Sequence, residues 1–250
     1  MAEIKAILEE DEFNDSYGKE RLTIALKQRG FIISQSTLYR VLKAHELVKK
    51  KKRKPNGLTK ADKLAKREND LLNGDFTAST PTEKLIGDIT QLPTIDGKLY
   101  IAGIYDAFNN ECIGLAMADH MRDELTQNAL KMAAKQHNLT NAIFHSDFGS
   151  QYTSDNYKNL CRQLKITQSH SLAKLSCYGN AKVESVFGRF KTEAIYNRYD
   201  TKNMSMEAVK RLVFRYFMGY WNNRRISSTN NGMPPKLKRQ LYYESIKLVA

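Results

Sequence analysis

The chain of 250 residues contains little cysteine, and its three cysteines, Cys112, Cys161 and Cys177, lie far apart. They form no Cys-x-x-Cys pair and no cysteine–histidine cluster of zinc type, which argues against a zinc finger or a disulfide-stapled secreted scaffold. No apolar run approaches the roughly 20 residues that a membrane span needs, and no basic stretch followed by an apolar core marks a secretory signal. These absences predict a cytoplasmic protein with reduced thiols and no membrane partner.

Acidic residues are also fewer than basic ones. The chain has 27 Asp and Glu and 40 Lys and Arg, which gives a net charge of +13. Such an excess favours a polyanionic partner, nucleic acid before membrane. A generically basic soluble protein is the alternative. The apolar fraction of 41% is sufficient for a hydrophobic core, and the length suits one core domain with a smaller appendage.

Residues 1–48 have the pattern of a small helical domain. Ser16 and Ser34 are expected to cap two successive helices. Basic side chains on their polar faces, among them Arg40 and Lys43, favour a helix-turn-helix unit that binds DNA. A plain helical packing or dimerisation module would show a similar pattern.

Residues 49–82 are predicted to be a basic linker with a helix. The run that contains Lys50, Lys52 and Arg53 cannot fold on itself because its like charges repel, and Pro55-Asn56-Gly57 ends it. Phosphate contact is the favoured interpretation of this run, with a solvated surface stretch as the alternative.

Residues 83–225 show strands first and then an alternation of strands and helices. Three consecutive antiparallel strands are predicted at Leu85–Ile89, Leu99–Tyr105 and Cys112–Met117. A helix is predicted at about 123–137, followed by a strand at 142–147 and a helix at 155–164. Two further helices are predicted, one that starts at about 184 and one at 205–221. The order indicates an α/β fold, a mixed sheet covered by helices, followed by a basic C-terminal tail over 226–250.

Three acids on separate elements are candidates for one site. Asp88 lies between apolar residues of a strand, where an unpaired carboxylate costs several kcal/mol unless it is compensated. Asp147 ends the strand that contains His145, and Glu184 opens a helix on which Lys191 lies on the same flank two turns later. Carboxylates are the ligands that Mg²⁺ prefers, and two such ions assist an in-line phosphoryl displacement.

Each of these residues has a simpler interpretation when it is taken singly. Asp147 could be a turn residue, Glu184 a surface glutamate and His145 a packed strand histidine. Glu193 lies on a different side of its helix from Glu184 and is predicted to be solvated.

The acids stand within a succession of motifs: Gly87-Asp88-Ile89-Thr90, His145-Ser146-Asp147-x-Gly149-Ser150-Gln151-Tyr152, Cys177-x-x-Asn180-Ala181-x-x-Glu184 and Lys191-Thr192-Glu193. This succession resembles bacterial insertion-sequence transposases of the IS-three type, whose core is similar to retroviral integrase. The resemblance spans about 83–240, and residues 16–48 resemble the helix-turn-helix that precedes this core.

The resemblance implies a ribonuclease-H-like fold with a mixed five-stranded sheet flanked by helices. Asp88, Asp147 and Glu184 would form a catalytic triad that holds two Mg²⁺ or Mn²⁺ ions. Such enzymes cleave DNA at the end of the element, and the freed 3′-OH then attacks a target phosphodiester without a covalent enzyme intermediate. Lys191 would contact the terminal DNA, and Asn180 would touch substrate or hold the start of the helix.

The resemblance also implies partners and a cellular location. A homo-oligomer on paired ends would bind the element's terminal repeats and the target DNA. It would act in the bacterial cytoplasm at the nucleoid. A helix-turn-helix protein encoded in an upstream reading frame would be its partner or would be fused to it. His145, on the same side of its strand as Asp147, is predicted to act beside the site and contact DNA.

Departures from the family pattern leave two alternatives open. Leu85 stands where the family usually has an aromatic residue, Gly179 stands where it usually has Asp, and one extra residue lies between Asp147 and Glu184. A catalytically inactive DNA-binding repressor derived from a transposase is one alternative. A ribonuclease-H-like nuclease that hydrolyses without joining is the other.

Overall fold

The structure is a computed structural model, in which the described residues are 1–48, 70–170, 181–196 and 198–248. The helices and strands in chain order are α1 Ala2–Glu9, α2 Lys19–Gln28, α3 Gln35–Ala44, β1 Lys84–Thr94, β2 Gly97–Asp106, β3 Cys112–Ala118, α4 Asp123–Gln136, β4 Ile143–Ser146, α5 Ser150–Thr153, α6 Asp155–Gln163, β5 Thr167–His170, α7 Ala181–Phe190, α8 Met206–Phe214 and α9 Pro235–Lys247. Short 3₁₀ helices lie at Asn14–Ser16, Thr201–Asn203 and Ser228–Asn230, and π-helices at Lys191–Ile195 and Arg215–Trp221.

The chain forms two compact units, one built from the N-terminal helices together with the segment from residue 219 onward, and one that contains the sheet. Within the described ranges, no helix is both long and apolar enough to cross a membrane.

The first unit contains the two predicted helices α2 and α3. The cap predicted at Ser34 is confirmed, because its hydroxyl accepts a hydrogen bond from the Thr37 amide at 3.1 Å. The cap predicted at Ser16 is wrong. Ser16 belongs to a 3₁₀ helix in which its hydroxyl donates to the Phe13 carbonyl at 2.7 Å, and α2 begins only after Gly18.

The C-terminal segment belongs to this same unit and contains a helix that the sequence interpretation did not predict. Gln28 of α2 donates to the carbonyl of Gly232 at 3.3 Å, and the Ile226 amide donates to the Tyr17 hydroxyl at 3.0 Å. Residues 226–250, predicted as a basic tail, therefore include α9 and a packed 3₁₀ turn.

The second unit is built on one five-stranded sheet in the order β3-β2-β1-β4-β5. β1 pairs antiparallel with β2, and β2 with β3, whereas β4 pairs parallel with β1 and with β5. The predicted turn at Asp96-Gly97 is confirmed, because Thr94 pairs with Gly97 across it and Gly97 has a φ of +116°. The mixed five-stranded sheet is thus present, with its antiparallel part first.

A hydrophobic core fills the space between this sheet and its covering helices. Leu85, Ile104 and Phe144, from three different strands, are fully or almost fully buried against Leu130 of α4 and Tyr157 of α6. Because successive strand residues point to opposite faces, these apolar residues fix which side of the sheet the helices cover.

Close packing in the core depends on two strand glycines. A Cβ on Gly114 would lie 2.4 Å from the backbone oxygen of Ala129 in α4, and a Cβ on Gly87 would lie 2.4 Å from the Phe144 ring. Glycine at these positions lets α4 approach β3, and lets the Phe144 ring pack against β1 directly beside Asp88.

We predict that Gly114→Ala destabilises the second unit by about 2 kcal/mol, because the added methyl group meets helix backbone that cannot move aside locally. Urea denaturation followed by circular dichroism measures the loss. Ala118→Gly on the same strand is the control, and it should cost no more than about 1 kcal/mol through backbone entropy. Equal stability of Gly114→Ala and the unmodified chain would contradict the close approach.

Candidate active site

Asp88 is a carboxylic acid in the central strand β1 of the sheet. Its Oδ1 accepts a hydrogen bond from the amide of Ile89 at 2.8 Å. The pKa of Asp88 is raised to about 7, first by burial of the carboxyl group and then by the negative charges of Asp147 and Glu184. The Ile89 amide and the ammonium group of Lys191 act in the opposite direction. A group with this pKa is neutral about half of the time at pH 7.

The parallel pairing of β4 with β1 explains why Asp147 lies near Asp88. The ladder aligns Ile86 with His145, and because parallel strands advance equally, two more residues along each strand bring Asp88 beside Asp147. Asp147 is exposed, and its Oδ1 accepts a hydrogen bond from the Gly149 amide at 3.1 Å.

Glu184 reaches the same region from α7, which packs on β1. The apolar face predicted for this helix is confirmed at Val186, Phe187 and Phe190, which are buried, while Glu184 is exposed. The helix thus holds its apolar side on the sheet and leaves the glutamate on the solvent side, close enough to raise the pKa of Asp88.

The structure therefore brings Asp147, Glu184 and Lys191 within electrostatic range of the Asp88 carboxyl. The oxygen donors of the three acids suit a hard divalent cation such as Mg²⁺. In the part of the chain that the structure describes, no group of three or more His, Cys, Asp or Glu lies close enough together to hold a metal ion. The acids converge electrostatically without forming a closed ligand shell.

Lys191 is the first residue of the π-helix that continues α7, and it is partly buried. Glu193, two residues further, was predicted to be solvated, and this prediction is wrong. Only 5% of Glu193 is exposed, and its Oε2 accepts a hydrogen bond from the Tyr216 hydroxyl at 2.7 Å. The predicted side of the helix is correct, because at about 100° per residue Glu193 lies close to the direction of the buried Val186. The prediction failed because it assumed that an acid on that side would be solvated.

His145 was predicted to contact DNA, and the structure argues against this. The residue is 1% exposed, and its Nδ1 lies 2.9 Å from the Ser169 hydroxyl and 3.9 Å from a carboxylate oxygen of Asp70. The Phe76 ring meets the imidazole edge-on, with 5.5 Å between the ring centroids. The packed strand histidine, which was the alternative interpretation, is the arrangement observed.

Sequence reasoning missed His170, which contacts the segment that carries Asp147. Ser146 pairs with His170 in the β4–β5 ladder, and the Ser146 hydroxyl lies 3.2 Å from its Nδ1. The ring of Phe148 meets the imidazole edge-on, with centroids 5.4 Å apart. β5 is short and polar, so no apolar alternation indicated a strand there, and only the pairing register reveals the contact.

The remaining predicted DNA contacts fall in three groups. Arg40 and Lys43 are exposed on α3, where the prediction placed them. Asn180 lies outside the described residues, as do the linker residues Lys50, Lys52 and Arg53. Their roles stay predictions.

Known proteins resemble this chain along most of its length. A family model for an integrase core domain matches residues 78–174. Transposase InsF of insertion sequence IS3A from Escherichia coli is 36% identical over 222 residues, which cover 88% of this chain and 75% of that protein. The transposase of insertion sequence element IS904 from Lactococcus lactis is 31% identical over 235 residues, or 93% of this chain and 90% of that protein.

A solved structure supports the fold. A chain of the simian T-cell lymphotropic virus intasome, determined in complex with the PP2A regulatory subunit B56 gamma, matches with a TM-score of 0.54 and 16% identity over 89% of this chain and 70% of that chain. At this identity the likeness concerns the fold alone. With the mixed five-stranded sheet it confirms the ribonuclease-H-like architecture. By sequence, the chain belongs to the family of bacterial insertion-sequence transposases of the IS3 type, which carries an integrase core domain.

Proposed function

We propose that the protein is a DNA transposase that cleaves the ends of an insertion sequence and joins the freed 3′-OH to target DNA. The observation that carries this proposal is the desolvated carboxyl of Asp88, which lies within electrostatic reach of Asp147, Glu184 and Lys191. Acids that approach one another in this way are characteristic of sites that bind cations or transfer protons. In a basic member of this family, a phosphodiester is the substrate that this arrangement best supports.

The donor set fits Mg²⁺ or Mn²⁺, and Asp88, Asp147 and Glu184 would hold two ions through their oxygens. When bound, such ions neutralise charge on the attacked phosphate and lower the pKa of the attacking water or hydroxyl.

The residues of the chain supply the orientation. Asp88 must give up its proton to act as a ligand, and the Gly149 amide holds one oxygen of Asp147. Lys191 would bind a phosphate of the terminal DNA as a point charge. In each step an oxygen nucleophile attacks phosphorus and the bond from phosphorus to the leaving oxygen breaks. The cleavage step leaves the 3′-OH that serves as nucleophile in the joining step.

We predict that Asp147→Asn lowers both cleavage and joining of labelled element-end DNA by at least about 100-fold in Mg²⁺ or Mn²⁺. Because Asp147 is exposed, we expect the variant to keep its fold and its binding of DNA. Glu207→Gln, which neutralises an exposed acid on α8, is the matched control and should keep full activity. Undiminished turnover by Asp147→Asn would reject its assigned role.

The same assay separates the alternatives. Cleavage without joining by the unmodified chain would support a nuclease, and binding without either product, with any upstream-frame partner supplied, would support a repressor. We further propose a homo-oligomer on paired ends as the active form, with the element's terminal repeats and target DNA as its ligands.

The raised pKa of Asp88 predicts a pH-dependent stability in the metal-free protein. Its pKa is about 7 in the folded chain and near 3.9 in the unfolded chain. The folded state therefore binds more protons between these values, and its free energy of unfolding falls as pH rises from about 4 to about 7.

Asp88→Asn should remove this penalty. We expect the variant to gain stability over the unmodified chain between pH 5 and pH 8, by on the order of 1 kcal/mol. This gain is smaller than the whole pKa shift would give at ~1.4 kcal/mol per pKa unit, because solvent screens part of the interaction. Urea unfolding in the presence of a chelator measures the difference, and a difference that does not vary with pH would contradict the raised pKa.

The exposed cations of α3 generate a separate prediction about DNA affinity. The double variant Arg40→Ala/Lys43→Ala should bind element-end DNA more weakly, and the slope of log affinity against log salt should fall in magnitude by about 2 because two phosphate contacts are lost. Lys131→Ala/Lys135→Ala, two exposed lysines of α4, removes the same charge and is the control. An equal loss in both variants would indicate a general charge effect instead of recognition by α3.

A further inference from the structure

We infer that His170 is a positioning residue that anchors the segment carrying Asp147 from the side of β5. The metal-binding role of Asp147 rests on the function proposed above, whereas the anchoring itself does not.

Residues on both sides of the acid contact this one imidazole. The Ser146 hydroxyl lies 3.2 Å from Nδ1 of His170, and the Phe148 ring stands nearly perpendicular to the imidazole, with ring centroids 5.4 Å apart. His170 is only 8% exposed, whereas Phe148 is 58% exposed, so the imidazole lies beneath a partly exposed aromatic ring.

The hydrogen-bond directions identify the nitrogen that matters. The Ser146 hydroxyl donates its single proton to the Asp147 carbonyl at 2.9 Å. The proposed anchor assigns the Ser146 proton to the Asp147 carbonyl, and in that assignment the contact between Ser146 and Nδ1 of His170 requires a proton on Nδ1. The imidazole therefore acts as an Nδ1–H donor toward the Ser146–Asp147 segment.

The anchor has a mechanical reason. The last pair of the β4–β5 ladder among the described residues is Ser146–His170, and β4 ends at Ser146, so the Asp147 backbone lies beyond the strand. The carboxylates of Asp88 and Asp147 repel each other when both are ionised. A contact from β5, on the opposite side of β4 from β1, keeps the Asp147 backbone in place against that repulsion.

The test compares His170→Asn with His170→Gln in the full chain, without DNA or metal. The asparagine amide nitrogen occupies nearly the position of Nδ1, whereas the glutamine amide nitrogen occupies that of Nε2. We expect His170→Gln to speed hydrogen exchange of the Phe148 and Gly149 amides by about tenfold or more, and His170→Asn to stay within about threefold of the unmodified chain. The rescue by asparagine is a result that a general loss of packing would not give.

Two further variants keep the test decisive. Ser146→Ala removes the other end of the contact and should speed the same two amides, with little added effect in combination with His170→Gln. Cys161→Ala, in the core at α6, is the control for lost packing and should leave these two amides unchanged relative to the rest of the sheet. Equal exchange in His170→Gln and Cys161→Ala would overturn the inference.

A second readout separates this inference from the proposed function. Mn²⁺ affinity, followed by electron paramagnetic resonance on the DNA-free chain, should fall several-fold in His170→Gln and recover in His170→Asn. If Asp147→Asn leaves Mn²⁺ affinity unchanged, the proposed metal site fails while the exchange result still decides the anchor. Faster exchange in His170→Asn and His170→Gln alike would overturn the role of Nδ1–H.

Discussion

The parallel pairing of β4 with β1 is the constraint on which the site depends. It aligns Ile86 with His145 and so brings two acids that are remote in sequence to the same edge of the sheet. The pairing is stabilised by apolar residues of these strands, such as Leu85 and Phe144, which are fully buried. A shift by one residue would turn this apolar set toward the opposite face of the sheet, so the core also fixes the register of the acids.

This arrangement places an electrostatic cost beside the most tightly packed part of the sheet. Burial and neighbouring acids raise the pKa of Asp88, so ionising it destabilises the fold. Next to it, Gly87 allows the Phe144 ring to pack directly on β1. Gly87 and Asp88 face opposite sides of the sheet, so a close apolar contact lies on one face and a poorly solvated acid on the other. An acid of this kind is expected where function requires it.

The features that could be predicted from the sequence were those set by local periodicity or by motif. Strands β1 to β4, the Asp96-Gly97 turn, the Ser34 cap and the apolar face of α7 follow from spacing and local hydrogen bonds. The three acids followed from their positions on separate elements and from the family motifs. The features that could not be predicted depend on tertiary contact. His170 is recognised only through its pairing with Ser146, and the burial of His145 only through its contact with Ser169.

Glu193 shows a different limit. At about 100° per residue Glu193 lies close to the direction of the buried Val186, so regular periodicity already puts it on the packed side of the helix. The hydroxyl of Tyr216, which comes from a later element, satisfies the buried carboxylate. Because this partner is remote in sequence, no local pattern could indicate that the acid is buried instead of solvated.

In the proposed transposase, DNA binding and catalysis depend on charged groups of opposite sign. A cluster of three acids would repel the phosphate backbone, so affinity for DNA would come from the surplus of positive charge elsewhere on a chain with a net charge of +13. Exposed cations such as Arg40 and Lys43 lie in a different compact unit from the acids. Neutralising one acid removes a repulsive charge from the site, and binding should persist or strengthen when turnover is lost. In the proposed transposase, therefore, cations of the first unit would supply much of the affinity, and the second unit would supply the chemistry together with the local phosphate contact of Lys191.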